Sequence, residues 1–375
     1  MQKQSSSNLK RSFFEHLIIS ILSTISLIGG ILSAFYHYWA PIGGIIIFAT
    51  ILFLSQKKGL ALCIIILFSL GYIRLQQMVF MHNKIIEQIQ KRATLLGNVL
   101  SIEKAQHKQY QYSILIKVSD HFQNNQKVPY NTAWTLQCYS KSHPKIEVGD
   151  TIQITDINLN TKAKDSFSSF LIKEGVHATA FLPFNSITLI ARPAFSPLRS
   201  IHQTRSNLIE NIKKKCSKST LALISSIFFG NRLYVKEEYS ELKELFCNWG
   251  IVHFLARSGL HMVIFILFLQ FVLQWIPAAF LIKQSILIAL SLAYALLSWQ
   301  SVSFSRAFCS FLWYKISNMC GLQTDVVHII MALSCIFLLC NPMLIFFLDF
   351  QLSFGLTTIL AITNHCLLKQ NRRLS

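Results

Sequence analysis

The sequence predicts a polytopic α-helical membrane protein of about eight spans, with a small all-β domain inserted outside the cytoplasm. Hydrophobic residues make up 52% of the 375 residues, and charged residues only 14%, well below the roughly 25% of ordinary soluble proteins. Apolar runs close to the roughly 20 residues that cross a bilayer open and close the chain. Between them, residues 77–195 are mostly polar and alternate in hydropathy as strands do.

Residues 1–76 are predicted to form the N-terminal membrane helices. Lys57 and Lys58 separate the second apolar run from the third, and the N-terminus is also basic, so the positive-inside rule places both of these segments in the cytoplasm. The third helix therefore ends outside. No small-residue cleavage site is evident, which favours a retained anchor over a signal peptide. The three apolar runs are about 17–36, 39–55 and 59–76.

Residues 77–195 are predicted to form the β domain. Their four alternating runs are TLLGNVLSIE, QYSILIKVS, TAWTLQCYS and DTIQITDINL. The spacing fits a five-stranded barrel of the OB type, although a compact β sandwich would give a similar pattern. Aromatic residues beside cations can stack single-stranded nucleic acid in OB domains, but most strand aromatics belong to the core. The aromatic residues and lysines in question are Tyr110, Tyr112, Tyr130, Trp134 and Tyr139, with Lys108, Lys117, Lys127 and Lys141.

Residues 196–250 are predicted to form amphipathic helices at the membrane surface. The stretch 197–218 carries six Lys or Arg against one Glu, with apolar residues at 198, 201, 208 and 212 in roughly helical spacing. Such a helix can bind anionic lipid headgroups or nucleic acid, and the formal net charge of +19 suits either partner. The apolar run at 221–230 is too short to span a bilayer.

Residues 251–375 are predicted to form a bundle of five further crossings. Entering from outside, five crossings end in the cytoplasm, where the C-terminal tail supplies Lys369, Arg372 and Arg373. Both termini are therefore predicted to be cytoplasmic. The apolar runs are about 251–276, 284–300, 302–319, 325–341 and 343–363.

Polar residues within these runs are the candidate functional residues. On a helix, His253, Arg257 and His261 recur every four residues and form one stripe, with Ser258 beside it. A charged residue inside a span costs roughly 2.5 to 3.5 kcal/mol and usually faces protein or a water-filled cavity. Packing of small residues is the alternative for this segment. The further intramembrane polar residues are Arg306, Asp349 and Gln351.

The sequence predicts neither a metal site nor a cofactor. His253 and His261 would lie about 12 Å apart along a helix, too far for one tetrahedral zinc ion without a bend. The nine cysteines form no CxxC pair. For Arg306, a side chain snorkelling to the interface is the alternative to a channel role. Asp349 and Gln351 would also suit a proton or ion relay.

Four segments in order resemble motifs of the ComEC family of competence proteins, the inner-membrane DNA channels of natural transformation. HFLARSGLHMV is similar to the family's HLLAVSGLHV, and SFSRAF to its SVLRAA. ALISSIFFGNR resembles ALLLGDR, and NPMLIFFLDFQLSFG resembles NPLLLLDVGFQLSF. The resemblance covers essentially the whole chain. Arg257 departs from it, since the family usually has a small aliphatic residue there.

The resemblance implies transport of single-stranded DNA across the bacterial inner membrane. It implies an outside DNA receptor and a cytoplasmic motor or strand-binding protein as partners, beside membrane lipid, and it leaves open a homo-oligomer. The path would involve His253, Arg257, Ser258 and His261, with the other intramembrane polar residues. The family's metallo-β-lactamase-like segment, with its HxHxDH signature, is not found in these 375 residues. We therefore expect a shortened form with no catalytic residues, which is not an enzyme.

Two alternatives stay open. A secondary transporter of a small anion could use Arg257, Arg306 and Asp349, and inverted internal repeats would favour it, but none is evident. A non-conducting truncated or partner-dependent subunit would account for the missing helices of longer family members. No GxxxxGK[ST] motif occurs, so the sequence indicates no nucleotide-driven motor of its own.

Overall fold

The protein forms two compact units in a computed structural model. The helical unit comprises Met1–Phe80, Met262–Ser291 and Ser301–Ser375, and the barrel unit comprises Met81–His261 and Leu292–Gln300. The residues that the structure describes are 2–36, 58–89, 92–105, 110–123, 126–128, 133–142, 144–161, 165–182, 187–230, 236–251, 259–298, 301–322 and 324–374.

Helices and strands alternate in blocks along the described chain. The helices are α1 (Gln2–Tyr36), α2 (Lys58–Gln88), α3 (Asp165–Glu174), α4 (Pro197–Lys215), α5 (Lys218–Ile224, followed by a π-helical turn at Ser225–Phe229), α6 (Lys236–Asn248), α7 (Gly259–Gln274), α8 (Phe280–Leu297), α9 (Val302–Met319), α10 (Val326–Cys340) and α11 (Leu348–Leu374). The strands are β1 (Arg92–Lys104), β2 (Tyr112–Gln123), β3 (Gln126–Val128), β4 (Trp134–Ser140), β5 (Thr151–Asn160), β6 (Ala178–Phe181) and β7 (Ile187–Ala191).

Three helical segments of the described chain are long and apolar enough to cross a membrane. They are Ile18–Tyr36 in α1, Gly59–Gln88 in α2, and Phe280–Leu297, which is α8. They coincide with three of the eight predicted crossings, while the predicted run at 39–55 lies outside the described residues. The other four predicted crossings fall on α7, α9, α10 and α11, which are not among these three segments. The described part of the chain is thus mostly helical, with three candidate spans.

The last predicted crossing, at 343–363, is not one continuous helix. A 3₁₀ helix occupies Pro342–Phe346, Phe347 is extended, and α11 begins only at Leu348. The Asn341–Pro342 pair explains the interruption, because the Asn341 side chain caps the 3₁₀ turn by accepting a hydrogen bond from the Met343 amide at 3.2 Å. Pro342 occupies the first helical position, where its missing N–H is not needed.

Helices α1 and α2 approach closely because small residues line their contact. A Cβ added at Gly30 would overlap the backbone oxygen of Phe68, and one at Gly71 would lie 2.5 Å from the oxygen of Leu27. Ser26 Oγ also donates a hydrogen bond across the contact to the oxygen of Ile64 at 2.5 Å. Small residues and interhelical hydrogen bonds are the usual means of packing helices in a membrane.

Helix α10 is a packing centre of the helical unit. It contacts α1, α9 and α11, and most of its residues from Val327 to Leu338 are buried. Thr24 on α1 reaches toward it, with its hydroxyl 3.5 Å from the sulfur of Cys335. In α7 of the same unit, Val263 and Phe268 are exposed, and Met262 and Ile266 are buried.

The barrel unit is built on a closed five-stranded barrel. Its strands are hydrogen-bonded in the order β1-β2-β4-β6-β5, and β5 pairs back with β1. The β4–β6 pair is parallel and the other pairs are antiparallel, with β3 added to β2 and β7 added to β5. Alternate residues of β4, from Trp134 to Ser140, are buried. The four alternating runs of the sequence are confirmed as β1, β2, β4 and β5, while β3, α3, β6 and β7 were not predicted.

Helix α2 continues well beyond residue 76, where the sequence predicted the β domain to begin. It ends at Gln88, and β1 starts at Arg92. Leu75, His82 and Ile85 are buried, and their spacing places them on one face of the helix. The polar character of residues 77–88 thus reflects the exposed faces of this helix and not a strand.

Asp150 anchors the start of α4 to the barrel. Its side chain is 0% exposed and accepts hydrogen bonds from Arg192 Nε at 3.0 Å, Arg192 Nη2 at 2.8 Å and Arg199 Nη2 at 2.6 Å. The Glu147 amide donates a further bond at 2.8 Å. On α4 itself, Ile209 is buried, whereas the predicted apolar residues Leu198 and Leu208 are exposed. The basic helix is therefore held by an ion cluster at its N-terminus.

Candidate functional site

Arg306 on α9 is a half-buried cation of the helical unit. Its Nη1 donates a hydrogen bond to Thr357 Oγ1 on α11, and its guanidinium carbon lies 5.9 Å from the centre of the Phe354 ring. Ser301 caps α9 by accepting a hydrogen bond from the Phe304 amide at 3.3 Å, which fixes the turn before Arg306. The partners of Arg306 in the described chain are a hydroxyl and an aromatic ring. Neither neutralises its charge.

Unpaired polar atoms accompany this cation. Arg306 Nε, Ser310 Oγ and Ser353 Oγ are buried and have no hydrogen-bond partner among the residues that the structure describes. Ser310 lies one turn after Arg306 on α9. Ser353 lies one turn before Thr357 on α11, and the Thr357 hydroxyl donates to the Ser353 carbonyl oxygen at 2.6 Å. We name Arg306, Ser310, Ser353 and Thr357 the Arg306 cluster.

The Arg306 cluster can donate hydrogen bonds to an anion. A buried donor without a partner costs roughly 1 to 3 kcal/mol, so such groups usually meet a ligand, an ion or ordered water. An unneutralised guanidinium in an apolar bundle also favours a negative charge beside it, because the low dielectric strengthens the attraction. An oxyanion provides both the charge and the acceptor oxygens.

Asp349 and Gln351 occupy a different place, at the exposed beginning of α11. Asp349 Oδ1 accepts a hydrogen bond from the Phe350 amide at 3.0 Å. Gln351 Nε2 donates to the carbonyl oxygen of Ile345 at 2.7 Å and so supports the preceding 3₁₀ turn. Two helical turns, about 12 Å along the axis, separate Asp349 from Thr357. Neither of these two hydrogen bonds reaches the Arg306 cluster.

Of the predicted stripe of His253, Arg257 and His261, the structure describes His261. His261 lies half-buried in the first turn of α7, beside the buried Met262. His253, Arg257 and Ser258 lie outside the described residues. The alignment of the stripe on one helical face therefore stays a prediction.

Sequence reasoning missed Ser310, Ser353 and Thr357. Their signal is present but weak: a hydroxyl stands four residues after Arg306 on α9, and Ser353 and Thr357 are four residues apart on α11. Residues four apart share a helical face. The sequence does not show that these two faces meet, because that depends on how α9 and α11 pack.

Comparison with protein-family models matches the C-terminal part of the chain. Residues 227–375 match the competence protein family. This segment, here called the competence domain, runs from the π-helical turn through α11 and contains the whole Arg306 cluster. The match supports a competence-type protein with a role in DNA uptake. No curated protein and no solved structure matches the chain significantly.

The barrel carries an aromatic cluster that precedes the competence domain in sequence. The rings of Tyr110 and Phe181 stack at 4.7 Å between centroids, and Tyr139 lies 5.8 Å from Phe181. Burial raises the pKa of Tyr139, which keeps its hydroxyl protonated. Trp134, by contrast, is fully buried in the barrel core. Tyr130 and Lys108 lie outside the described residues.

The side chains that the structure describes contain no group of three or more His, Cys, Asp or Glu able to hold a metal ion. Two histidines of the barrel unit, His82 and His177, form a stacked pair with ring centroids 4.9 Å apart. His177 Nδ1 accepts a hydrogen bond from the Thr135 amide at 3.2 Å. That bond accounts for one ring nitrogen of His177 and ties it to β4.

Proposed function

We propose that this chain is a multi-pass protein of the bacterial inner membrane that passes single-stranded DNA into the cytoplasm during natural transformation. The competence domain at residues 227–375 supports the DNA-uptake role, and the three candidate spans support the membrane location. We further propose eight crossings with both termini in the cytoplasm. The chain would move the strand without making or breaking a bond.

The observation that carries this proposal is the Arg306 cluster within the competence domain. A DNA strand presents one negative phosphate per nucleotide, with oxygens that accept hydrogen bonds. Arg306 offers an unneutralised charge, and Ser310 and Ser353 offer hydroxyls with no partner among the described residues. A single cation with hydroxyls would bind each phosphate weakly, which suits conduction, since an ion or strand must also leave each site.

The stripe of His253, Arg257, Ser258 and His261 belongs to the proposal on the sequence argument. Polar groups on one face of a lipid-length helix need compensation, and a hydrated strand supplies it. Protonation of the two histidines would make that face more cationic as pH falls. Asp349 and Gln351 were predicted on the same path, and their exposed position at the start of α11 fits its mouth better than its interior.

The barrel is proposed to be an OB-like domain outside the cytoplasm. A closed five-stranded barrel with a β1-β2-β4-β6-β5 order supports the OB assignment. The rings of Tyr110, Tyr139 and Phe181 would stack bases of an incoming strand. Cys138 is the only cysteine between Cys63 and Cys216, so a membrane-impermeant thiol reagent tests the location after the barrel is loosened. Labelling of Cys138 only from the cytoplasmic side would contradict the topology.

Partners are proposed because the chain shows no motor of its own. A DNA receptor outside would deliver the strand, and a cytoplasmic motor or strand-binding protein would pull it inward. The absence of a GxxxxGK[ST] motif from the 375 residues supports an external driving force.

The test is natural transformation by cells whose only copy carries a substituted Arg306. We expect Arg306→Gln to lower transformation at least about tenfold, because a phosphate contact with arginine is a charge-assisted hydrogen bond worth more than about 1.4 kcal/mol. Arg306→Lys keeps the charge and should retain part of the activity. Arg74→Gln is the matched control, because Arg74 donates to the carbonyl oxygen of Leu339 on the same unit.

The readout separates transport from folding. Membrane abundance of each variant is measured by immunoblot beside the transformation frequency. Parental abundance with normal transformation in the Arg306→Gln variant would remove Arg306 from the path. Loss of abundance in that variant, with normal function of Arg306→Lys, would assign Arg306 to helix packing.

A further inference from the structure

A cavity with both polar and apolar groups in its lining lies between α7 and α8 of the helical unit. Its volume is about 270 Å³, enough for several water molecules at roughly 30 Å³ each, or for a phosphate group with a hydroxylated substituent. The lining residues are Gln270, Leu273, Gln274, Lys283, Gln284 and Leu287. Three amides and one ammonium group thus converge on one space between two otherwise apolar helices.

The chemistry of the lining suits an anion that also carries hydroxyl groups. Lys283 supplies a positive charge, and the described lining includes no acidic side chain to neutralise it. Gln284 Oε1 is buried without a hydrogen-bond partner among the described residues, so it needs a donor. The glutamine side chains can donate as well as accept. A phosphodiester of a polyol such as glycerol would supply both the negative charge for Lys283 and a hydroxyl donor for Gln284 Oε1.

The cavity lies at the depth of lipid headgroups if α8 crosses the membrane. Helix α8 is a candidate span that begins at Phe280, so Lys283 lies about 5 Å along the axis from its end. Aromatic side chains are exposed at this end: Trp275, in the turn before α8, is 77% exposed, and Phe280, the first residue of α8, is 63% exposed. Phe271 packs edge-on against Trp275 with centroids 6.2 Å apart. Exposed aromatic residues at a helix end are typical of the membrane–water interface.

We propose that this cavity binds the headgroup of an anionic phospholipid of the phosphatidylglycerol type. The phosphodiester oxygens accept hydrogen bonds from Lys283 Nζ, and a glycerol hydroxyl donates to Gln284 Oε1. Gln270 and Gln274 complete the polar wall. Basic pockets between membrane helices commonly bind anionic headgroups. The inference depends on membrane insertion and is independent of DNA transport.

A lipid fits this cavity better than a nucleic-acid strand does. The described lining presents no aromatic ring on which a base could stack. Phe280, Leu281 and Ile282, which directly precede Lys283 on α8, are exposed and apolar, as a surface in contact with acyl chains would be. A phosphatidylcholine headgroup carries no hydroxyl or ammonium N–H for Gln284, so the cavity should discriminate against it.

The test is native mass spectrometry of the purified full chain, titrated with dioleoyl-phosphatidylglycerol or dioleoyl-phosphatidylcholine. We expect phosphatidylglycerol to bind at least about fivefold more tightly, and Lys283→Gln to lower its apparent affinity about fivefold, which corresponds to about 1 kcal/mol. Lys283→Arg keeps the cation and should restore binding. Lys315→Gln, the same change on α9, should leave the affinity at the parental value.

Several results would overturn the proposal. Equal affinity for the two lipids, or an unchanged affinity in Lys283→Gln, would show that the cavity does not select an anionic headgroup. Displacement of the lipid by millimolar inorganic phosphate would indicate a site for a free anion, and displacement by oligo-deoxythymidine would indicate a strand site. If Lys283→Gln does not accumulate, Gln284→Leu is titrated instead, and unchanged selectivity over phosphatidylcholine in that variant would refute the assignment.

Discussion

Replacing Asp150 by Asn should destabilise the barrel unit, because this change removes the negative charge at the centre of a buried ion cluster. Asp150 has no exposed surface and holds Arg192, Arg199 and the Glu147 amide. Burial acts to raise the pKa of Asp150, but hydrogen bonds from Arg192 and Glu147 and the charges of both arginines outweigh it and lower the pKa below its ordinary value. The folded barrel therefore stabilises the carboxylate.

The magnitude follows from the burial of the partners. Removing one member of a buried ion pair usually costs about 3 to 5 kcal/mol. The Arg192 side chain is 42% exposed, so water screens part of its interaction, whereas Arg199 is more deeply buried. Asn also keeps one oxygen that can accept from Arg199. We therefore expect a smaller loss, about 2 to 3 kcal/mol, in the unfolding free energy of the barrel unit.

Cys138 provides the assay. Its side chain is fully buried in β4, and burial raises the pKa of its thiol, so it reacts with maleimide only when the barrel opens. In a full chain whose other cysteines are replaced, a loss of about 2 to 3 kcal/mol should speed labelling about 30- to 150-fold when reclosing is faster than labelling. Asp156→Asn is the matched control, since Asp156 is exposed on β5. A labelling rate within about twofold of the parent for Asp150→Asn would refute the reasoning.

The pH dependence of the same cluster has a definite sign. Because the folded pKa of Asp150 lies below its unfolded value, its contribution to stability is complete above about pH 4 and is lost as the pH falls through the folded pKa. Asp150→Asn should therefore lose most of the acid sensitivity that the parent shows in that range. Hydrogen exchange of barrel peptides, corrected for intrinsic rates, measures it.

Three further predictions concern other parts of the chain. Gly30→Ala should lower membrane abundance, measured by immunoblot, because its Cβ would overlap the Phe68 backbone oxygen, whereas Gly59→Ala should not, having nothing within 4 Å. Burial, aided by the charge of a neighbouring histidine, lowers the pKa of His177 to about 4, so barrel stability should fall as pH drops from about 6.5 to 4, and His177→Phe should flatten that dependence in hydrogen exchange. The double variant Arg257→Leu, His261→Leu should abolish DNA uptake, measured as transformation frequency, while its membrane abundance stays at the parental value. Normal transformation by this variant would show that the stripe has a structural role.

The strands that the sequence predicted are those whose pattern is long enough to read. Thr151–Asn160 and Trp134–Ser140 alternate clearly because one face of each packs into the barrel core. The strand Ala178–Phe181 was not predicted, because four mostly small residues show no alternation of apolar and polar side chains. Its pairing with β4 is a tertiary contact that local sequence does not encode. The sequence placed the end of α2 at residue 76, whereas the helix ends at Gln88. Residues 77–88 are more polar than the preceding apolar run, but a change in polarity does not by itself end a helix.

The sequence singled out Arg306 as a candidate functional residue, but it did not predict which side chains surround it. Arg306 stands out in sequence because a cation within an apolar run is costly. Its partners Thr357 and Phe354 lie about 50 residues away on α11, and local periodicity does not encode that pairing. Asp349 shares the same apolar run, but the Asn341–Pro342 interruption shifts the start of α11 to Leu348 and leaves the carboxylate at its exposed end.

Accessibility of a cysteine placed at position 353 tests the central claim most directly. Ser353 is only 8% exposed, yet its hydroxyl has no partner among the described residues, as expected where a path carries water or a strand. In cells with the native cysteines replaced, we expect Ser353→Cys to react with a charged methanethiosulfonate reagent, and DNA in transit to slow that reaction. Ser334→Cys, in a site where the native hydroxyl bonds to the Met331 carbonyl oxygen at 2.7 Å, should stay unreactive. A transforming Ser353→Cys variant that reacts no faster than Ser334→Cys would show that no aqueous path passes the Arg306 cluster.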